Sequence, residues 1–199
     1  MEYKLIYLAL ISYFIGSIPF AYIITKIFGY GDIRKIGSGN IGATNVLRTG
    51  KKGLALTVLF LDIIKGFLPI TFLFFCYKDQ LQTNLIIFLG GFAIMGHIFP
   101  IWLKFKGGKG VATYIGYILG INYSLGILFI LCWLIIAIVK KYSSLASILS
   151  IITVPFFSIL LLYNLSLFFI LTFLSILIII KHKTNIKRLL RGSETKIKL

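Results

Sequence analysis

Residues 104–141 read KFKGGKGVATYIGYILGINYSLGILFILCWLIIAIVKK, an apolar stretch closed by lysines at both ends. Lys and Arg collect on the cytoplasmic side of membrane segments. With Lys109 and Lys140 on that one side, the 30 residues 110–139 must cross the bilayer an even number of times. Two short helices turning near residues 120–123 satisfy the condition; a single re-entrant element is the alternative and leaves five spans in place of seven. The membrane itself follows from composition. Of 199 residues, 59% are hydrophobic, mean hydropathy is +1.00 and only 13% are charged, whereas a soluble domain carries roughly a quarter charged residues.

Further apolar runs lie at residues 5–27, 54–77, 85–103, 145–162 and 165–180, most of them long enough to cross about 30 Å of hydrocarbon as helix. Cations cluster in four places: Lys26, Arg34, Lys35, Arg48, Lys51 and Lys52; Lys104, Lys106 and Lys109; Lys140 and Lys141; and the segment 181–198. Between them, residues 77–84 set Lys78 against Asp79, and 163–166 carry no charge. The expectation is an all-α integral membrane protein of about seven transmembrane helices, some short, with the N-terminus outside and the C-terminus cytoplasmic. Residues 1–199 form a single polytopic membrane domain in this reading. The first run has Glu2 before Lys4 and no small-residue cleavage site, so it is expected to stay as helix one. Cys76 and Cys132 are far apart, suggest neither a metal pair nor a disulfide, and read as packing residues.

A formal charge of +16 points to anionic lipid or a phosphorylated small molecule. Nucleic acid is excluded as a partner, because the cations sit on shallow loops with no fold to enter a groove. Topology and anionic headgroups account for Lys51, Lys52, Lys140, Lys141, Lys196 and Lys198. They do not account for the glycines beside them.

Three polar stretches stand out. Residues 37–48 read GSGNIGATNVLR. Glycines permit positive φ and close backbone approach, while Ser38, Asn40, Thr44, Asn45 and Arg48 supply donors suited to phosphate oxygens; a flexible linker is the competing reading. Residues 96–113 read GHIFPIWLKFKGGKGVAT, where Gly107, Gly108 and Gly110 bracket Lys109 just before a helix start at Val111, a place that attracts anions. The spacing is not that of a Walker loop. Lys104 and Lys106 can snorkel from the helix end, and Lys106 is also counted as a phosphate contact. Residues 181–194 read KHKTNIKRLLRGSE; His182 and Asn185 share a helical face, and Glu194 is read as structural, neutralising a nearby cation. A basic amphipathic tail on anionic lipid is the alternative there. All three stretches lie on the cytosolic side by the charge argument, which implies one composite site for a phosphate-bearing ligand.

These stretches resemble, in order and spacing, the three signature motifs of the bacterial acyl-phosphate:glycerol-3-phosphate acyltransferase family, PlsY. The resemblance covers the chain and includes LDIIKGFLP at 61–69 and YSSLASI at 142–148. Ile41 stands where many members carry Pro, and Lys181 where Arg is usual. The resemblance implies transfer of a fatty acyl group from acyl phosphate to the 1-hydroxyl of glycerol 3-phosphate, giving lysophosphatidic acid and phosphate, the first step of bacterial phospholipid synthesis. It places the protein in the bacterial inner membrane with its active site facing the cytoplasm and membrane lipid around it. It implies catalytic roles for Ser38, Arg48, Lys109, His182 and Asn185, and substrate or phosphate contacts from Asn40, Asn45, Lys106, Gly107, Gly108, Gly110 and Ser144. An acyl phosphate is already activated, so no cofactor is required. His182 and a substrate phosphate oxygen remain alternative acceptors for the hydroxyl proton.

The His-x4-Asp signature of other glycerolipid acyltransferases is absent, since the fifth residue after His97 is Trp102 and after His182 is Lys187. The acids Glu2, Asp32, Asp62, Asp79 and Glu194 are scattered, which indicates no metal site. Asp62 lies inside an apolar run, and Lys65 at i+3 is expected to pair with it. Asn122 and Asn164 are expected to cap turns, and Pro19, Pro69, Pro100 and Pro155 to kink or end helices. A transporter for a phosphorylated anion is disfavoured because the polar motifs sit at one face, and a lipid-binding scaffold leaves the motifs unexplained.

Overall fold

The structure is a computed structural model that describes residues 2–197. Lys198 lies outside them, as does the side chain of Glu2. Among the described residues every element is helical, in two compact units, residues 1–121 and 122–199.

The first unit contains α1 (Glu2–Ser17), α2 (Phe20–Ile27), a 3-10 turn (Ile33–Lys35), α3 (Ala43–Leu47), α4 (Lys52–Tyr77), α5 (Thr83–Gly90), α6 (Phe92–Ile98), a second 3-10 turn (Ile101–Leu103) and α7 (Val111–Ile121). The α1–α2 break falls at Pro19, whose missing N–H interrupts the helical ladder. Two pairs of helices meet backbone to backbone: α1 with α6, where a Cβ at Gly16 would fall on the Ala93 carbonyl and one at Gly96 on the Tyr13 carbonyl, and α4 with α7. A Cβ added at Gly116 of α7 would fall on the Ile63 carbonyl of α4, and one at Gly66 of α4 on the Thr113 carbonyl of α7. Small residues at such crossings let helices approach closely where lipid removes any hydrophobic drive to associate. α1 and α6 are tied further at their ends, where Tyr13 Oη donates to the Phe99 carbonyl at 2.6 Å and Trp102 Nε1 to Ser17 Oγ at 2.9 Å.

The second unit contains α8 (Tyr123–Lys140), α9 (Ser143–Leu162), α10 (Leu165–Lys181) and α11 (Lys183–Leu190). Asn122 and Asn164 cap as expected: their side chains accept from Leu125 N and Leu167 N at 3.2 and 2.9 Å. Pro100 follows the end of α6, but Pro69 and Pro155 sit inside α4 and α9 without ending them. For Pro155 the reason is visible. The Ile151 carbonyl, deprived of its usual donor one turn later, accepts instead from Ser175 Oγ of α10 at 3.3 Å.

Among the described residues, five stretches are long and apolar enough to cross a membrane: Tyr3–Ile27, Lys52–Tyr77, Thr83–Leu103, Tyr123–Lys140 and Ser143–Leu162. Leu165–Lys181 joined to Lys183–Leu190, bent by 62°, is a sixth candidate, and Val111–Ile121 is a shorter apolar helix. Large apolar side chains such as Phe60, Phe75, Ile135 and Phe156 are exposed around these helices, a surface suited to lipid and unsuited to water. Cys76, read as a packing residue, is exposed, because Leu73 is the last buried residue of α4; Cys132 is partly covered.

Candidate functional site

The first polar stretch folds as a braced loop. Asp32 caps the 3-10 turn, accepting from Arg34 N at 3.0 Å, and its carboxylate grips the Arg34 guanidinium at 2.6 Å. That hydrogen bond from Arg34 draws the Asp32 carboxyl down to about 2, so this arginine is engaged. The chain then turns at Gly37 and Gly39, with φ of 56° and 70°. Asn45, expected at the phosphate, is 1% exposed and committed inward. Its Oδ1 accepts from Ser38 N and Oγ at 2.8 and 3.1 Å, and its Nδ2 donates to the carbonyls of Ile33 and Ile36 at 3.1 and 2.9 Å. Asn45 is thus the buttress of the loop. A Cβ at Gly37 would meet Asn45 Oδ1 at 2.5 Å and the Arg48 stem at 3.3 Å. What the loop leaves exposed is Arg48 and Ser38, the latter with its hydroxyl bonded back to Asn45, while Asn40 is half-buried. The Arg48 guanidinium has no hydrogen-bond or ion-pair partner among the described residues. Ile33, Ile41 and Val46 anchor the loop from beneath in a cluster with Ala21, Val58 and Leu103.

In the second stretch the chain reverses through Lys104 and Phe105, both in the left-handed region, and returns along the end of α6. Gly107 N donates to the Ile98 carbonyl and Gly108 N to the His97 carbonyl, each at 3.2 Å. Those two N–H groups are therefore used within the protein, in contrast to an open anion nest. A Cβ at Gly107 would fall on the His97 carbonyl, and one at Gly108 on the His97 ring. Gly110 takes φ of 90° and α7 starts at Val111, where the sequence places it. Lys109 is half-buried at that start, whereas Lys106 is exposed and its ammonium has no partner among the described residues.

Beneath this loop lies the expected ion pair. Lys65 Nζ is 2.7 Å from Asp62 Oδ1, both side chains 3% exposed, and it also donates to the Ile18 carbonyl at 2.7 Å. That carbonyl lies at the α1–α2 break, where helical donors run out. His97 Nδ1, absent from the sequence reading as a partner, faces the same Asp62 oxygen at 3.8 Å.

In the second unit, His182 stands at the α10–α11 bend, 2% exposed. Its Nδ1 lies 2.8 Å from the Ile178 carbonyl; a carbonyl only accepts, so Nδ1 carries the hydrogen. Asn185 and Ser144 converge on Glu194, Nδ2 and Oγ donating to Oε1 at 2.7 and 2.8 Å, while Arg188 Nε donates to Oε2 at 2.6 Å. Burial raises the Glu194 carboxyl, but hydrogen bonds from Arg188, Asn185 and Ser144 outweigh it and hold the group below its ordinary range. The basic tail turns back after α11. Gly192, with φ of 68°, turns the chain past α11, and Ile197 N donates to the Lys141 carbonyl at 2.7 Å. Lys183, Lys187 and Arg191 stay exposed. Glu194 was expected to neutralise a nearby cation, and Arg188 is that cation, brought within reach by the turn at the glycine just past the helix end.

Fold and site define a multi-pass helical membrane protein whose glycine-rich loops carry unshielded cations. The family model for glycerol-3-phosphate acyltransferase matches residues 6–192. The glycerol-3-phosphate acyltransferases of Pelagibacter ubique and Bartonella henselae are each 50% identical to this chain, the first covering 100% of both chains and the second 94% of this chain and 89% of its own. Crystal structures of PlsY (YgiH), an integral membrane glycerol 3-phosphate acyltransferase, superpose with TM-scores of 0.91 for the glycerol 3-phosphate form and 0.89 for the lysophosphatidic acid form. They are 37% and 36% identical, and each pairing covers 98% of this chain and 96% of the other. The chain belongs to the glycerol-3-phosphate acyltransferase family of integral membrane enzymes.

Proposed function

We propose that this protein transfers a fatty acyl group from acyl phosphate to the 1-hydroxyl of glycerol 3-phosphate, releasing lysophosphatidic acid and inorganic phosphate. The observation that carries the reading is the loop braced by Asn45, which holds Ser38 by its N–H and hydroxyl and leaves Arg48 exposed beside it. Both substrates carry phosphate, and an unpaired guanidinium is a planar fork for its oxygens. The chain works as one polytopic membrane domain of seven spans, N-terminus outside and C-terminus cytoplasmic, with the chemistry at the cytoplasmic face of the bacterial inner membrane.

In this reaction the hydroxyl oxygen attacks the acyl carbonyl carbon, the bond from that carbon to the phosphate oxygen breaks, and phosphate leaves with the electron pair. Arg48 and Lys109 counter charge on the tetrahedral intermediate and the departing phosphate. Ser38 orients the oxygens, and Asn40 and Lys106 add phosphate contacts. Gly107, Gly108 and Gly110 shape the glycerol 3-phosphate loop by letting it lie against α6. Asn185 and Ser144 act from the Glu194 hub, which is structural. The hydroxyl proton passes either to His182, whose Nδ1–H contact to Ile178 leaves Nε2 as the basic nitrogen, or to a phosphate oxygen of the substrate. A maximal rate near wild type in His182→Ala assigns it to the substrate; a loss of about a hundredfold or more assigns it to His182. No cofactor or metal enters these steps.

The test is phosphate release and lysophosphatidic acid formation by the purified protein in lipid, from palmitoyl phosphate plus glycerol 3-phosphate. Acyl-CoA and acyl carrier protein thioester compete as donors. Product from acyl phosphate alone, reduced about a hundredfold in Arg48→Ala, supports the proposal. Absence of product from every donor refutes it.

A further inference from the structure

We infer that His97 is a positioning residue, which sets the place of Gly108 and through it of Lys109, with its ring packed between that glycine and the Asp62–Lys65 pair. The inference rests on reading residues 107–110 as the glycerol 3-phosphate loop. Three contacts join His97 to that loop. Its carbonyl accepts from Gly108 N at 3.2 Å, and the same carbonyl occupies the space where Gly107 would carry a Cβ. Its ring occupies the space where Gly108 would carry one. On its other side, the ring nitrogen Nδ1 faces Asp62 Oδ1 at 3.8 Å, and that oxygen is pinned by Lys65 at 2.7 Å. Lys65 in turn holds the Ile18 carbonyl and lies over the Phe20 ring, 5.5 Å from its centroid.

The chain of contacts thus runs from the α1–α2 break through α4 and α6 to the residue preceding Lys109. Asp62, Lys65 and His97 are 2%, 3% and 6% exposed, so solvent does not damp a shift in any of them. A bare glycine against a flat ring is a close fit that fixes Gly108 without a side chain of its own. An ion pair serving only to neutralise Asp62 would need neither the ring facing it nor the glycine on the far side of that ring. Moving a positioning element by about 1 Å is enough to cost as much as a hundredfold in a reaction that depends on orientation.

The test is a double-mutant cycle on the purified protein in lipid, comparing wild type, His97→Ala, Gly108→Ala and the double variant. Initial rates are taken over both substrates, with calorimetric titration of glycerol 3-phosphate alongside. Each single change is expected to raise the KM and the Kd for glycerol 3-phosphate about tenfold and to move the KM for palmitoyl phosphate less than about twofold. In the double variant the added methyl enters the space the ring vacated, and both constants return to within about threefold of wild type. His97→Asn, which keeps a polar group toward Asp62, recovers part of the loss; combined with Gly108→Ala it also supplies the cycle if His97→Ala does not fold. Losses that multiply in the double variant overturn the inference, as does a His97→Ala protein with wild-type constants for glycerol 3-phosphate. A wild type that binds glycerol 3-phosphate but turns over no donor sinks the acyl-transfer reading, while the binding cycle still decides the role of His97. A wild type that does not bind it overturns both.

Discussion

Replacing Glu194 with Ala should release the C-terminal segment and shorten the life of the folded protein. The carboxylate side chain is 4% exposed and accepts from two buried donors, Ser144 and Asn185, which are 6% and 4% exposed. Stranding a buried donor that bonded a charged acceptor costs about 1.5–3 kcal/mol. Arg188 is 37% exposed, so its pair with Glu194 adds only about 0–1 kcal/mol after solvent screening. Because both buried donors share Oε1, their losses do not sum, and about 3 kcal/mol is expected for the whole change. Glu194→Gln keeps an acceptor oxygen but brings an amide against donors, for about 1–2 kcal/mol. Multispan proteins unfold irreversibly in detergent, so the assay is the half-life of the folded form at fixed temperature, followed by circular dichroism. If the contacts are absent from the transition state, 3 kcal/mol shortens that half-life about a hundredfold.

The same residue sets a pH dependence. Its carboxyl is held below its ordinary value of 4.5, so its contribution is complete above that value and is lost as pH falls through the folded one. Wild type should become acid-labile in that window, and Glu194→Ala should lack this component. Equal half-lives at neutral pH, or identical acid sensitivity in the two proteins, would refute the reasoning.

Asp62→Leu alone strands the buried Lys65 ammonium and should cost about 3–5 kcal/mol, whereas Asp62→Leu with Lys65→Met should fold nearly as well as wild type; relative half-lives in detergent distinguish the two. Gly116→Leu drives a side chain into the Ile63 carbonyl and should cost about 3 kcal/mol by prising α7 from α4, read as loss of a monodisperse peak on size exclusion. Asn45→Ala removes the contacts to Ser38, Ile33 and Ile36 and should lower kcat/KM about tenfold or more. Asn45→Asp should not rescue it, because a carboxylate cannot donate to those two carbonyls; recovery in that variant would argue that Asn45 touches substrate instead.

Much of the architecture is legible without coordinates because it depends on neighbours in sequence. The apolar runs, the helix start at Val111, the caps Asn122 and Asn164 and the i+3 pair of Asp62 with Lys65 all follow from spacing along one element. The polar loops were marked by glycine and cation content, and the family by the order of three long motifs. The roles within those motifs were less legible. Asn40 and Asn45 have the same chemistry and lie in one loop, yet Asn45 is 1% exposed and bonded inward while Asn40 is half-buried. Gly107 and Gly108 read as glycines bracketing Lys109 before a helix start that attracts anions, but α6 supplies carbonyls for both their N–H groups.

Composition and local spacing therefore determined that the chain is a helical membrane protein with glycine-rich basic loops at helix ends, since lipid leaves few ways to satisfy a backbone. Tertiary structure decided which polar groups brace and which stay available. A donor that can bind phosphate can equally bind a carbonyl or carboxylate. Which it does at Asn45, Gly108 or Arg188 depends on a partner, six to twelve residues away in sequence, that the turns of the chain bring within 3.2 Å.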